Sequence, residues 1–224
     1  MADLLEKIAE GVIEGRADKH SPLVEEKKGS PGVKELTRLA VDDGISVEDI
    51  IDKGLLAGME VVGKKFKNDE IFIPEVLISA EALNAGMELI KPLIVKAGLK
   101  PRSKIVIGTV KGDLHDIGKN LVCMMLQGAQ FDVIDLGVDI PKKKFIDTIK
   151  QEQPQLLGLS CLLTSSMHEL KKVIEAVEKE GLHDRIRILV GGAPVTKEYA
   201  EEIGADGFAE DAVLAVEKAK EFVG

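Results

Sequence analysis

The chain has 224 residues, with 30 basic and 39 acidic side chains, a formal net charge of −9 and an isoelectric point near 5.1. That balance argues against a nucleic-acid partner, which requires a basic face to neutralise phosphates, and the absence of Trp with a single Tyr argues against base stacking. The opening MADLLEKIAEGVIEG is acidic and amphipathic, unlike a basic-then-apolar leader, and no run approaches the ~18 apolar residues of a membrane span, so a soluble, cytoplasmic chain is expected.

In chain order, residues 1–97 show helical spacing and no strand pattern. DLLEKIAEGVIEG ends in Gly15, and a polar stretch over 16–32 separates it from GVKELTRLAVDDG, which Pro31 opens and Gly44 closes. SVEDIIDKGLLAGMEVVGKKFKN begins with Ser46 followed by Asp49, an N-cap pattern. PEVLISAEALNAGMELIKPLIVKAG begins at Pro74, and Pro92 predicts a kink or break. Short connections between these segments predict a four-helix bundle. A Gly/Pro/basic linker over 98–103 marks a boundary.

From residue 104 the period changes. KIVIGTV, FDVIDLG, QLLGLSCLL, RIRILVGG and a weaker ADGFA have strand length, and each precedes a segment of helical pattern. Alternation of this kind predicts βαβ units, and continuous apolar strands predict a parallel sheet covered on both faces. The expected architecture is α + α/β: a helical bundle over 1–97, then a Rossmann-like, flavodoxin-like domain of five parallel strands over 104–224. Cys123 and Cys161 lie in apolar runs and form no CxxC, as expected of buried, reduced thiols.

The turn after the first strand, GTVKGDLHDIGKN at 108–120, is where open α/β sheets place ligands. It is not a Walker loop, since Gly112 and Gly118 are separated by five residues and Lys119 is followed by Asn120. It is not a dinucleotide fingerprint, since 108–113 reads GTVKGD. His20 and His183 lie in polar segments and carry no assigned role. Asp113 precedes His115 by two residues, so its carboxylate can accept from one ring nitrogen and leave the other for a metal. A lone His holds a metal only when a cofactor supplies further ligands; the competing reading is an Asp/His cap on the following helix. Ser160, Thr164, Ser165 and Ser166 follow the third strand, and Gly191–Gly192 end the fourth, where a flat ligand can approach backbone.

DLHDIG, then SCL, then GG resembles the cobalamin-binding signature DxHxxG…SxL…GG. GMEVVGKKFKNDEIFIPEVLISAEALNAGM resembles the helical cap of methionine synthase and of corrinoid proteins from methyltransferase systems. The resemblance covers nearly the whole chain apart from 16–32. It implies a cobalamin (corrinoid) cofactor with His115 as lower ligand to cobalt, Asp113 accepting from its ring, and Ser166 continuing that relay. Asp116 falls within the same motif. A channel for the nucleotide tail would be lined by Ser160, Leu162, Thr164, Gly191 and Gly192, with Gly118 allowing passage, and IFIPEV would cap the cobalt through Phe72 and Val76. The implied activity is that of a non-autonomous carrier, which accepts a methyl group from a substrate-specific methyltransferase. It would deliver that group to a second methyltransferase, whose acceptor is tetrahydrofolate or a thiol such as coenzyme M. A reductive activator is a further implied partner. A cobalamin-dependent regulator or sensor and a corrinoid storage protein are the alternatives, although no basic DNA-binding module is visible. A carbon-skeleton mutase subunit shares DxHxxG but generally does without the helical cap.

Overall fold

The computed structural model describes residues 2–21, 29–97 and 101–224, so part of the 16–32 stretch and the start of the 98–103 linker lie outside the described residues. The chain divides into two compact units, Met1–Lys100 and Pro101–Gly224.

The first unit is helical: α1 (Ala2–Ile13), α2 (Val33–Asp42), α3 (Val47–Asp49), a π-helical segment (Ile50–Leu56), α4 (Ala57–Lys67) and α5 (Ile73–Ala97). Its core-facing apolar positions, among them Ile8, Val12, Leu55, Val62 and Leu83, are fully buried, as helical spacing requires of such a stripe. Ser46 caps α3 by accepting from Asp49 N at 3.1 Å. The sequence predicts one uniform helix through 46–68; the structure inserts the π turn at the point where this helix crosses α1. Small residues make that crossing close: a Cβ on Gly54 would lie 3.0 Å from Ile8, and one on Gly58 would lie 2.6 Å from the Ala9 carbonyl oxygen. Pro92 does not break α5, which runs on through Ala97. Glu88, Lys91 and Pro92 are exposed, so the carbonyl deprived of its donor lies where water can satisfy it.

The second unit alternates β1 (Ser103–Thr109), α6 (Ile117–Gly128), β2 (Phe131–Asp135), α7 (Lys142–Glu152), β3 (Leu156–Ser160), α8 (Met167–Lys179), β4 (Arg187–Gly191), α9 (Lys197–Glu202), β5 (Gly207–Ala209) and α10 (Ala212–Val223). All five strands are parallel, in the order β2-β1-β3-β4-β5. This is the flavodoxin-like order expected, and it puts the topological switch between β1 and β3. Val106, Leu157, Leu159, Ile188 and Val190 pack with Phe145, Leu170 and Ile174 in one continuous core, which explains the unbroken apolar strand sequences. Among the described residues no helix is long and apolar enough to cross a membrane. The Gly58→Ala variant is expected to lose about 1–3 kcal/mol of stability by overpacking the helix crossing, read as a lowered urea midpoint.

Candidate functional site

The register aligns the carboxyl ends of three strands: Thr109 pairs with Ser160, and Ser160 with Gly191. The loop leaving β1 is pinned at several points. Val110 N donates to Ser160 O at 3.0 Å, Gly112 N donates to Asp139 Oδ1 at 2.7 Å, and Asp139 N donates to Asp113 O at 3.0 Å. Thr109 Oγ1, fully buried, donates to the His115 carbonyl at 2.9 Å.

Asp113 is 0% exposed, and its carboxylate joins the two loops that flank the switch. Oδ1 accepts from His115 N at 3.0 Å and stands 2.7 Å from His115 Nδ1; Oδ2 accepts from Leu162 N at 2.5 Å and Leu163 N at 3.1 Å. Burial alone would raise the carboxyl pKa. The His115 and Leu162 backbone N–H groups, the His115 ring and the Leu163 N–H outweigh it and hold the pKa below the usual Asp value. With the proton of a neutral ring on Nδ1 facing the carboxylate, Nε2 carries the lone pair. The His115 side chain is 52% exposed, while Asp113 beneath it is closed off.

Exposed apolar side chains occur on the two loops that meet at Asp113. Leu114 (72%), Ile117 (63%), Leu162 (42%) and Leu163 (37%) are all exposed. Leu162 and Leu163 meet Asp113 through their amides, and Leu114 and Ile117 lie within four residues of it at the β1–α6 turn. Leu114, Ile117 and Leu163 are missing from the sequence-level reading; an apolar residue in a polar turn was the available signal. A grouping of this kind marks a binding surface for an apolar or flat partner. Among the described residues no three His, Cys, Asp or Glu side chains converge to hold a metal ion. A metal at Nε2 therefore needs its other ligands from a ring system, and the exposed apolar side chains suit one. The two thiols offer no alternative ligand or nucleophile: burial pushes Cys123 up to about 12 and Cys161 up to about 11.

Other expected site residues fall variously. Asp116 is the N-cap residue of α6 but caps it with no side-chain bond; its Oδ2 accepts from Asn120 Nδ2 at 3.1 Å. Gly118 has no protein atom within 4 Å of where a Cβ would stand, so packing does not demand glycine there and room is left beside the turn. Ser160 is half-buried, and Thr164 is exposed at the start of the 3-10 turn Thr164–Ser166. Ser166 is buried near Gly112, but Asp113's partners are His115, Leu162 and Leu163; the expected relay through Ser166 is not made.

Gly191 and Gly192 answer first to the fold. A Cβ on Gly191 would lie 2.7 Å from the Ala209 carbonyl oxygen; Gly192, at φ 120°, would place one 1.9 Å from that of Cys161. In the helical unit Phe72 is 67% exposed, whereas Val76 is 1% exposed; the exposed apolar neighbours of Phe72 are Ile73 and Ile78. Val76 is thus corrected from a surface contact to a core residue. His183 is half-buried rather than free, with Nε2 3.3 Å from Asp206 Oδ2.

Replacing Asp113 by Asn turns one of its acceptor atoms into a donor facing other donors. The expected loss is about 2–3 kcal/mol, measured by urea unfolding at neutral pH. A carboxyl with a depressed folded pKa stabilises fully above the ordinary Asp range, near ~4, and loses that contribution as pH falls through the folded value. The gap between wild type and variant should therefore close on acidification.

Comparison with known proteins places this geometry. Residues 103–217 match the B12 binding domain family, and residues 30–91 match a second family described as a B12 binding domain. The dimethylamine corrinoid protein of Methanosarcina barkeri is 38% identical over 222 residues, covering 99% of this chain and 98% of that protein. Trimethylamine corrinoid protein 1 of Methanosarcina acetivorans is 42% identical over 188 residues, 83% of this chain and 87% of that one. A cobalamin-binding protein from Desulfitobacterium hafniense superposes with a TM-score of 0.78 at 31% identity, covering 98% of both chains. The methanol:cobalamin methyltransferase complex MtaBC of Methanosarcina barkeri superposes with a TM-score of 0.79 at 29% identity, covering 99% of this chain and 80% of that one. The half-exposed histidine on its buried carboxylate thus sits in a chain that belongs to the B12-binding corrinoid proteins of methyltransferase systems.

Proposed function

We propose that the chain is a corrinoid methyl-carrier subunit that holds cobalamin at the His115 edge of the sheet. It receives a methyl group from a substrate-specific methyltransferase and yields it to a second one, whose acceptor is tetrahydrofolate or a thiol such as coenzyme M. The observation that carries this reading is the Asp113–His115 pair: a 2.7 Å contact fixes Nδ1 and leaves Nε2 available on a half-exposed ring. Kinship with dimethylamine and trimethylamine corrinoid proteins supports a methylated amine as donor, and kinship with the methanol:cobalamin complex supports a methyltransferase as docking partner. A reductive activator completes the set. Free, buried thiols support a cytoplasmic setting.

Cobalamin, when bound, supplies a cobalt centre that takes up and gives up a methyl group. His115 would hold it through Nε2, the ring nitrogen that Asp113 leaves unengaged. Asp113 would fix the ring's tautomer and orientation. Leu114, Ile117, Leu162 and Leu163 exclude water from the ligand's side of the sheet. Ser160, Leu162, Thr164, Gly191 and Gly192 line the path of the nucleotide tail, and the unfilled volume at Gly118 admits it. In the helical unit Phe72, which is exposed, would remain a candidate for the cap, whereas Val76 is buried.

The test is retention of hydroxocobalamin after desalting, followed by visible absorption and cobalt analysis. About one corrinoid per chain with an imidazole-ligated spectrum is expected. His115→Ala should weaken retention about tenfold or more and lose the imidazole signature. Equal affinity and an unchanged spectrum in the variant would sink His115 as the ligand. Retention without methyl exchange, when methylamine methyltransferase fractions are added, would instead mark a storage protein.

A further inference from the structure

One buried charge has no part in the function described above. Lys119, the third residue of α6, has a side chain only 1% exposed. Its position costs twice: an ammonium loses hydration on burial, and a cation in a helix's first turn opposes the macrodipole. Two acceptors offset this, Asp135 Oδ2 at 2.5 Å and Asn120 Oδ1 at 2.7 Å. A methionine would fill a similar volume without either penalty, so the contacts themselves need a reason.

Followed outward, they lead to one place. Asn120, its oxygen held by the ammonium, donates through Nδ2 to Asp116 Oδ2 at 3.1 Å, and its backbone N–H donates to Asp116 O at 2.7 Å. In the other direction, Asp135 ends β2 and accepts through Oδ1 from Gly137 N at 2.9 Å. Gly137 O accepts from Thr109 N at 3.0 Å, and Thr109 Oγ1 donates to His115 O at 2.9 Å. Both arms leave the same ammonium; one ends on the carbonyl of His115 and the other on the carboxylate of Asp116, the next residue. The contacts cross β1, the end of β2 and the first turn of α6, and they hold the His115 carbonyl and Asp116, while Asp113 holds the His115 ring and N–H.

We propose that Lys119 is a positioning residue for His115: through Asn120–Asp116 on one side and Asp135–Gly137–Thr109 on the other, it sets where the imidazole stands for the corrinoid. This rests on the assignment of His115 as the cobalt ligand. A lysine that merely anchored α6 would affect stability and leave ligation untouched.

The experiment titrates wild type, Lys119→Met and Asn120→Asp with hydroxocobalamin, reading affinity and the spectrum at saturation, with thermal unfolding of each unloaded protein alongside. Asn120→Asp keeps an acceptor for Lys119 but sets a carboxylate against Asp116, so it breaks the link without removing the buried charge. Both variants should bind about tenfold or more weakly and retain, at saturation, a histidine-free component absent from wild type. Saturated spectra and affinities equal to wild type overturn the inference, whatever the change in melting temperature, and leave the assignment of His115 standing. A wild type that retains no corrinoid overturns both. If Lys119→Met does not fold, Asn120→Asp decides by the same two readouts.

Discussion

The Asp113 carboxylate is wholly buried, and it keeps its charge because N–H donors from His115, Leu162 and Leu163 surround both oxygens. An ionised carboxylate in such a place, without those donors, would cost several kcal/mol or become protonated. The donors come from two loops that leave β1 and β3, neighbouring strands whose connections diverge to opposite sides of the sheet. Satisfying one charge therefore ties together two chain segments separated by about fifty residues. The same bonds orient the histidine. What the fold needs in order to bury an acid and what a ligating imidazole needs in order to be presented are met by one set of contacts.

The rest of the ligand-side edge divides its work between packing and access. Gly191 and Gly192 are required by the backbone oxygens of Ala209 and Cys161, which approach too closely for any side chain. Gly118 is required by nothing in the protein, and its missing side chain leaves room for something else. Leu114 and Ile117 stand in the opposite relation to packing: they are large, apolar and exposed, a state that folding alone does not favour. Space without a filler and apolar surface without a cover occur on the same turn. Together they describe a ligand better than either does alone.

Much of this was legible in the sequence because periodicity reports burial directly. The change from helical spacing to short apolar runs at residue 104 located the start of the sheet, and even the weak ADGFA run became β5. The pair Asp113 and His115 was legible because a spacing of two fixes which groups can meet. Properties set by three-dimensional neighbours were not. Val76 and Phe72 read alike in IFIPEV, and only the packing of α5 separates the buried one from the exposed one. The π segment depends on how closely α1 approaches, and the tolerance of Pro92 depends on which side of α5 faces water. The resemblance implies a relay through Ser166, but Asp113's oxygens meet the His115 ring and the backbone N–H groups of His115, Leu162 and Leu163. Lys119 gave no signal at all, since a lysine beside an asparagine ordinarily reads as a solvated helix start.

The way His115 is held bears on what a carrier's ligand must do. A flexible imidazole loses rotamer freedom each time it binds a metal, which subtracts from affinity. Here that freedom is lost on folding: Asp113 holds Nδ1 and the backbone N–H, and Thr109 holds the carbonyl. No such restraint falls on Nε2, and half of the side chain remains open to solvent. A ligand fixed in place but unsaturated can bind and release without rebuilding its surroundings. In the proposed role, His115 would hold the cofactor from a position that two sets of contacts fix. One is the buried Asp113 carboxylate, which meets the ring and the N–H of His115; the other is the Thr109 hydroxyl on its carbonyl, which the proposed Lys119 network would brace.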